Sequence, residues 1–417
     1  MERIILHSDL NNFFASVEAV KNPALRGKCF AVAGDPEKRH GIILAKSNEA
    51  KKLGIRTGET IWQAREKCPE LLLVPPDMKA YHNYSAKVHQ IYRRFTDIIE
   101  PFGIDEAWLD VTGSTRLFGC GPKIAHEIRK CIREELGMTV SIGVSYNKIF
   151  AKLGSDLKKP DATTVISKEN FKKIVHPLPV SDLLFVGRST REKLHQNGIY
   201  TIGQLADTNP EFLKRLFGKM GLMLHQYAIG ADSANQILSE LPTVQSVSNS
   251  VTPAKDLCTM EEIWTQMLML AEHVASRLRE KKLSGTLITL HVRDHQFRST
   301  NRQRPLSLPT NNAMEIAQTA LSLFQEHYDL SAPVRCLGLG VAKLQPDSGD
   351  LQLTLWDLEN HRLRDQSLDH AVDHLRDRYG FNCIVRAGCL YQQLKNYTIS
   401  NEPGAPSSLC TLPGCHI

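Results

Sequence analysis

Residues 103–112 read Gly-Ile-Asp-Glu-Ala-Trp-Leu-Asp-Val-Thr, with two adjacent acids in front of a short apolar run. The branched and aromatic residues of this run favour a buried strand. Because side chains alternate along a strand, Asp105 and Glu106 point to opposite faces unless the strand only begins there. Carboxylates at the mouth of a buried strand need cations, protons or hydrogen-bond donors. We therefore predict that the chemistry lies here, while a solvated acidic turn stays open as the alternative.

A third acid ends another apolar run near the N-terminus. Residues 3–9 read as a short strand that ends at Asp9, and Asn12 can cap the helix that follows. An acid at a strand-to-helix junction, beside helix amides, suits a corner for phosphate and metal. An ordinary helix cap is the alternative interpretation of Asp9.

Composition bounds the class of protein. At 417 residues the chain is long enough for two to four domains. No apolar run approaches the roughly 20 residues of a membrane span, and residues 1–9 lack the apolar core of a signal peptide, so we expect a cytoplasmic protein. Ten cysteines without a Cys-x-x-Cys pair indicate a reducing compartment. A net charge of +6 permits a polyanionic partner without requiring one.

Short strands and helices surround the acids. Residues 10–76 form a module of short elements, and helices with apolar stripes precede and follow the acidic strand. A strand at 139–145 comes next, and this order indicates an α+β sheet covered on one face. Lys158 and Lys159 end a helix before Pro160, where they suit either the helix dipole or a phosphate.

A glycine-containing helical hairpin is predicted in residues 178–208. Gly187 precedes its first helix and Gly198 lies in the turn before the second. The exposed amides of such a hairpin commonly support backbone phosphates. An ordinary helical turn is the alternative.

The next unit has its own pattern. Residues 244–345 follow a polar linker and show elements in the order β-α-β-β-α-β. Four arginines lie on one of its strands and the approach to it: Arg293, Arg298, Arg302 and Arg304. So many cations in a short stretch favour a track for phosphates, with a solvated sheet face as the alternative.

Beyond residue 345 the pattern is lost. Residues 351–357 form an apolar island, followed by a charged segment that can form a helix. The Pro- and Ser-rich end is expected to be disordered. Cys410, Cys415 and His416 are a weak metal candidate there, and a floppy terminus is the alternative.

Together these features resemble the Y-family translesion DNA polymerases, most closely the bacterial DNA polymerase IV branch. The matching pieces lie in the expected order across about residues 1–357. They are residues 9–18, 47–54, 84–85, 104–112 and 141–160, the hairpin at 187–203 and the arginine-bearing unit.

The resemblance implies an α+β multidomain fold shaped like a right hand. Its expected parts are a ferredoxin-like palm (1–10 and 77–166), small fingers (11–76), a helical thumb with a helix-hairpin-helix (167–232), a linker (233–243), a β-α-β-β-α-β little finger (244–345) and a partly disordered tail (346–417).

The resemblance also implies the active site. Asp9, Asp105 and Glu106 would be the catalytic carboxylates that hold two Mg²⁺, and the backbone carbonyl of Leu10 would complete the site. Mg²⁺ prefers such hard oxygen ligands. One metal would lower the pKa of the primer 3′-hydroxyl, and the other would neutralise the leaving pyrophosphate.

The residues that the resemblance assigns to the incoming nucleotide are Phe13, Phe14, Asn48, Lys51 and Lys159. Phe14 occupies the steric-gate position, where the ring excludes a ribose 2′-hydroxyl; a packed helix residue is the alternative. The fingers depart from the family pattern, because Asn-Glu-Ala-Lys at 48–51 replaces Tyr-Glu-Ala-Arg and Ala45 replaces a threonine. Lysine keeps the charge of arginine but loses its bidentate fork. Asn11 stands where relatives often carry a second acid.

The resemblance extends to partners. Gln352, Leu353, Leu355 and Trp356 resemble the clamp-binding peptide of bacterial polymerases. The implied function is low-fidelity, template-directed DNA synthesis past damaged bases, without proofreading, by a monomer that meets primer-template DNA, dNTP and the sliding clamp. A non-catalytic clamp-binding adaptor and a two-metal nuclease are the alternatives. The retained acids argue against the adaptor, and the thumb and little-finger pattern argues against the nuclease.

Overall fold

The computed structural model describes residues 3–35, 41–231, 244–347, 362–380 and 383–387. The chain divides into unit 1, Met1–Pro242, and unit 2, Thr243–Ile417. Unit 1 combines helices with two mixed sheets, unit 2 combines helices with one antiparallel sheet, and each is described by itself below. No helix within the described ranges is long and apolar enough to cross a membrane.

The strands of unit 1 are β1 (Ile5–Leu10), β2 (Phe30–Ala33), β3 (Ile43–Lys46), β4 (Leu72–Val74), β5 (Ile99–Pro101), β6 (Glu106–Asp110), β7 (Val140–Ser145) and β8 (Thr163–Ile166). Its helices are α1 (Phe13–Lys21), α2 (Asn48–Lys52), α3 (Ile61–Lys67), α4 (Met78–Tyr92), α5 (Thr115–Phe118), α6 (Gly121–Leu136), α7 (Lys148–Leu157), α8 (Phe171–Val175), α9 (Arg188–Gln196), α10 (Ile202–Asp207), α11 (Pro210–Phe217) and α12 (Lys219–Ala228).

A five-stranded sheet carries the acids. Its strand order is β5-β6-β1-β7-β8, with β1 antiparallel to both β6 and β7 and with β7 parallel to β8. In this register Asp9 lies opposite Glu106 on one side and Ser141 on the other. All residues of β1 and β7 are buried, as expected for central strands rich in branched side chains.

Both faces of this sheet are covered. Leu6 and Leu109 pack with α4 and α6 on one face, while Trp108 packs with α7 on the other. A Cβ at Gly143 would lie 1.9 Å from the carbonyl oxygen of Ala151, so α7 can approach β7 this closely only because position 143 is glycine. The prediction of a sheet covered on one face is therefore wrong, because α7 has an apolar face that covers the second side of the sheet.

A three-stranded sheet in the order β3-β2-β4 forms a separate small core with α2 and α3. Both helices begin at a capping hydroxyl: the Ser47 side chain accepts from the Ala50 amide, and Thr60 and Gln63 form a capping box. Strand β3 and helix α2 both belong to this small core, and part of the nucleotide site was predicted on these two elements.

The helices α8 to α12 form the rest of unit 1. The predicted hairpin consists of α9, a turn and α10, with Gly187 at the N-cap of α9 and Gly198 at φ +75° in the turn. Glycine adopts this left-handed conformation without the strain that a Cβ would add. Gly221 allows α12 to pack against α11, because a Cβ there would lie 2.1 Å from the carbonyl oxygen of Leu213.

Unit 2 contains β9 (Ser246–Val251), α13 (Met260–Glu280), β10 (Leu283–Asp294), β11 (Ser299–Thr310), α14 (Ala313–His327), β12 (Val334–Pro346) and α15 (Arg362–Tyr379). The first six elements confirm the β-α-β-β-α-β order. Their sheet is antiparallel with the strand order β11-β10-β12-β9, and α13 and α14 cover one face.

Helix α15 lies in the segment expected to be a tail, and it packs on unit 2 through charged side chains. Buried Arg279 of α13 binds Asp369 and Asp373 of α15, with 3.2 Å between the Arg279 Nη1 and Asp369 Oδ2 atoms. Buried Glu272 of α13 binds Arg376 at 2.6 Å, and also Arg386. Charged contacts of this kind leave no apolar periodicity, so the sequence pattern did not reveal the docking.

Three apolar residues of α15 are exposed to solvent. Leu368, Leu375 and Tyr379 are exposed although they follow helical spacing. The helix therefore docks by its charged face. The predicted clamp-binding residues 352–356 and the cysteines of the C-terminus lie outside the described residues.

Candidate active site

The three predicted carboxylates come together at one end of the five-stranded sheet. Strand β6 begins at Glu106, and Asp105 immediately precedes it. The amide of Leu10 donates to the carbonyl of Asp105 at 3.0 Å, which ties the end of β1 to the start of β6. Asp9 and the acidic pair are thus neighbours because β1 and β6 are neighbours in the sheet.

Two lysines from and just after α7 neutralise these acids. Lys159 Nζ lies 2.8 Å from Asp9 Oδ2 and 2.8 Å from Asp156 Oδ1. Lys152 Nζ binds Glu106 Oε2 and lies 3.8 Å from Asp9 Oδ2. The resemblance led to Lys159, whereas Lys152 was not predicted to contact the acids.

The pKa values of the acids diverge. Burial, together with the charges of Glu106 and Asp9, raises the pKa of Asp105 to about 6. Burial also raises the pKa of Asp9, although Lys159 opposes the shift. Burial acts upward on Glu106 as well, but the contacts with His7 and Lys152 outweigh it and hold the pKa at about 2. Asp105 is therefore the acid that most needs a further cation.

His7 is a buried neighbour that the sequence interpretation missed. Its Nδ1 shares a hydrogen bond of 2.8 Å with Ser155 Oγ, and its Nε2 lies 3.2 Å from Glu106 Oε2. Burial lowers the pKa of His7, which favours the neutral imidazole. The alternation of β1 puts His7 on the same face as Asp9, so the spacing of two residues was the available signal.

A cleft of about 280 Å³ opens beside the acids. It is lined by Asp9, Leu10, Asn12, Phe13, Phe14, Leu44, Ala45, Lys46, Thr57, Asp105 and Lys159. The cleft thus brings together most residues predicted for metal and nucleotide. Asn48 and Lys51 are not among the lining residues and both are exposed, whereas Lys46 and Thr57 were not predicted.

Phe14 forms a rigid wall of this cleft. Its ring stacks on Tyr81, with ring centroids 4.2 Å apart and an interplanar angle of 10°. The Tyr81 hydroxyl donates to Glu18 Oε1 at 2.8 Å, and both of these residues are buried. A ring fixed in this way can act by its shape, which a gate against a hydroxyl group requires.

Two asparagines have roles that the sequence did not predict. Asn12 does not cap α1, because its side chain donates to Asn48 Oδ1 at 2.7 Å instead. The capping prediction is wrong because Asn12 adopts a left-handed backbone conformation, with φ 48°. Asn11 accepts from the Asp161 amide at 2.9 Å and donates to Ser141 Oγ at 3.0 Å, so it supports the segment that carries Lys159.

The donor set fits a hard divalent cation, although the lysines now fill the space between the acids. Within the described ranges, no group of three His, Cys, Asp or Glu side chains is drawn together as a metal site. Asp105 is half-buried, however, and has no ion-pair partner within 4.0 Å in the described part of the chain. A half-buried carboxyl whose pKa is raised by burial and by neighbouring carboxylates is suited to Mg²⁺.

The predicted DNA contacts occupy different environments. Nothing lies within 4 Å of a Cβ built at Gly187 or Gly198, so the backbone is open at both positions. In unit 2, Arg302 and Arg304 pair with Leu290 and Ile288 of β10, on the helix-covered side of the sheet. These are predicted contacts for which only the placement is now known.

The arginines of unit 2 differ in their partners. Arg304 binds Glu326 and donates to Ser322 Oγ at 2.7 Å, and Arg298 binds Asp294 at 2.7 Å. Arg293 lies 5.0 Å from the centroid of the Phe297 ring. The open face of the sheet carries the polar side chains of Ser248, Ser250, Thr289, His291, Asn301 and Gln303, and the alternation of β10 places Arg293 on the same face.

Comparison with known proteins agrees with this arrangement. The impB/mucB/samB family matches residues 8–156, and the C-terminal domain of the same family matches residues 244–355. A thumb domain described for DNA polymerase-iota matches residues 181–232. The chain belongs to the impB/mucB/samB family.

Members of the impB/mucB/samB family are similar to this chain along almost its whole length. The DNA polymerase IV of Acetivibrio thermocellus is 45% identical over 394 residues, which cover 94% of this chain and 98% of that protein. DNA polymerase IV 1 of Bacillus subtilis is 36% identical over 392 residues, covering 94% of each. A solved Y-family DNA polymerase chimera superimposes with a TM-score of 0.73 at 25% identity, over 82% of this chain and 98% of the chimera.

These matches confirm the resemblance to Y-family DNA polymerases of the DNA polymerase IV type, and with it the α+β multidomain fold class. The limits of palm, fingers, thumb and little finger stay predictions. The roles of the individual site residues also stay predictions, now with a known geometry.

Proposed function

We propose that this member of the impB/mucB/samB family is a DNA-directed DNA polymerase that transfers nucleotides from dNTP to a primer 3′-hydroxyl, with low fidelity and without proofreading. The observation that carries the proposal is the meeting of Asp9, Asp105 and Glu106 beside a cleft that also contains Phe14 and Lys159. Each group matches a requirement of nucleotidyl transfer: acids for cations, an ammonium for phosphate and a wall for the sugar.

Asp9, Asp105 and Glu106, with the carbonyl of Leu10, would hold two Mg²⁺. Bound there, the metals would supply a 3′-oxygen nucleophile of lowered pKa and charge neutralisation on the pyrophosphate. Both lysines now pair with the acids that would take the metals. Without its contact to Asp9, the Lys159 ammonium would be available to the triphosphate of the incoming nucleotide.

The protein side of the reaction is positioning. Phe14, whose ring stacks on Tyr81, would exclude a ribose 2′-hydroxyl. Asn11 holds the Asp161 amide, and through it the segment with Lys159. Such fixed groups favour the reacting geometry without reorganisation during the chemical step.

Primer-template DNA, dNTP and the sliding clamp are the proposed partners of a monomer that acts in the cytoplasm. The open sheet face of unit 2 supports DNA binding because it is flat and polar. A Cβ at Gly340 would lie 2.8 Å from the Ser248 Cβ and the Thr289 Oγ1 atoms, so glycine keeps this face flat. Clamp binding rests on the sequence of residues 352–356 alone.

Primer extension tests the proposal. With Mg²⁺ and four dNTPs, the full-length protein is expected to copy an undamaged template and to continue past an abasic site. A primer with a mismatched 3′ end is expected to keep its terminal nucleotide. Failure to extend any primer would support the clamp-binding adaptor instead, and shortening of the primer would reveal a nuclease.

A further inference from the structure

Lys46, on the small three-stranded sheet, is a cationic residue that lines the cleft. It ends β3 and lines the cleft together with Thr57, Asp9 and Lys159. The resemblance assigned a phosphate contact on this side to Lys51, but Lys51 is exposed on α2 and does not line the cleft. The positive charge therefore enters the site from β3 rather than from α2.

The Lys46 ammonium is poorly compensated. Its Nζ donates to Thr57 Oγ1 at 3.0 Å, and in the described part of the chain no carboxylate lies within 4.0 Å of it. The nearest acid to influence it, Glu59, is bound by Lys67. Burial and the charge of Lys51 lower the pKa of Lys46, so an anion in the cleft would gain more from this ammonium than from a solvated one.

We propose that Lys46 binds the triphosphate of the incoming nucleotide, in partnership with Lys159, and so supplies the charge that an arginine on α2 supplies in relatives. The inference rests on the proposed polymerase function. Asp9 and Asp105 are both proposed metal ligands, so bound metals would compensate their charges. The two lysines of the cleft would then be left to compensate a highly charged anion. Lys46 is a contact by charge, with Thr57 holding its side chain in place.

Equilibrium binding of dNTP tests this role without the chemical step. The full-length protein is bound to a template with a 3′-dideoxy-terminated primer, and the dissociation constant of each complementary dNTP is measured in Mg²⁺. Lys46→Gln is expected to raise this constant about tenfold. The factor should be similar for all four dNTPs, because a phosphate contact does not depend on the base. Lys46→Arg is expected to restore most of the affinity.

Two further variants serve as comparisons. Lys52→Gln removes an exposed charge from α2 and is expected to leave dNTP binding unchanged, while Lys51→Gln tests the residue that the resemblance favours. Inorganic tripolyphosphate is expected to compete with dNTP more weakly in Lys46→Gln than in the wild type. An unchanged unfolding midpoint and DNA affinity would show that the variant is folded.

The inference is overturned if Lys46→Gln binds dNTP as the wild type does, if the loss differs between bases, or if Lys51→Gln alone loses affinity. Any of these results, obtained with a wild-type protein that extends primers, leaves the polymerase proposal intact. A wild type that binds no template-selected dNTP overturns both.

Discussion

Asp105 illustrates how burial prepares a residue for a cation. Its pKa of about 6 in the folded chain exceeds the ordinary value of 3.8, so the folded state holds the proton more tightly than the unfolded state. The stabilisation from this proton is complete below pH 3.8 and is lost as the pH rises through 6. The loss amounts to about 3 kcal/mol at most.

Asp105→Asn should therefore raise the free energy of unfolding at pH 8 by about 1–3 kcal/mol when divalent cations are absent. At pH 4 the variant and the wild type should differ little. Mg²⁺ should stabilise the wild type more than the variant, because only the folded wild type offers the full acid set. Thermal unfolding with and without Mg²⁺ at both pH values measures this, and an equal response to Mg²⁺ would contradict the predicted metal role.

Phe14 depends on Tyr81 for its fixed position. Phe14→Ala should increase ribonucleotide incorporation by about 10- to 100-fold relative to dNTP, since even a modest clash of 1.4–2.8 kcal/mol gives such factors. Tyr81→Phe keeps the stacked ring and loses only the hydrogen bond to Glu18, so it should keep the sugar preference. Single-nucleotide insertion with matched rNTP and dNTP measures the ratio, and an unchanged ratio in Phe14→Ala would remove the gate assignment.

At the level of elements, α15 depends on buried charges. Removing one member of a buried ion pair leaves the other uncompensated and typically costs 3–5 kcal/mol. Arg279→Met should therefore destabilise unit 2 by about 3 kcal/mol, because Asp369 and Asp373 lose their cation. Lys281→Met removes an exposed charge at the C-terminal end of the same helix, and it is expected to change the free energy of unfolding by less than about 0.5 kcal/mol.

Denaturant unfolding of the two variants provides the comparison. Limited proteolysis should also cut Arg279→Met within or near residues 362–380 before it cuts the β-α-β-β-α-β part of unit 2. If Arg279→Met is as stable as Lys281→Met, α15 does not depend on this ion-pair network.

Some elements could be predicted because their periodicity and burial agree. Strands β1 and β6 are apolar runs that end or begin at acids, and the order of elements in residues 244–345 is confirmed. The prediction that Asp9 and Glu106 are neighbours depended on the family resemblance as well, because the sequence alone does not say which strands are adjacent. Helix α15 escaped prediction as a docked element since its contacts are ionic and three of its apolar side chains are exposed.

The cleft shows the same limit in its polar residues. Lys152 and His7 reach the acids, and Lys46 reaches the cleft, through strand register and helix rotation, which one sequence does not specify. Asn12 resembled a helix cap, but it bonds to Asn48 across two elements. Long-range polar contacts of this kind were predictable only where the family pattern named the residue, as for Lys159.

At the scale of the whole molecule, three carboxylates at the adjoining ends of two neighbouring strands would make this long, multidomain chain a polymerase. The adjoining cleft and the separate DNA-binding surfaces would contribute affinity and selectivity, whereas the acids would be required for the chemical step itself. Loss of an acid should therefore abolish extension while leaving DNA binding nearly intact.

Primer extension by the wild type and Asp105→Ala, at equal occupancy of primer-template DNA and with Mg²⁺, tests this claim most directly. We expect metal-dependent extension by the wild type. In the variant we expect a rate that is reduced by a factor of at least about 10³, equivalent to the loss of at least ~4 kcal/mol of transition-state stabilisation. Extension by Asp105→Ala at a rate near that of the wild type would contradict it.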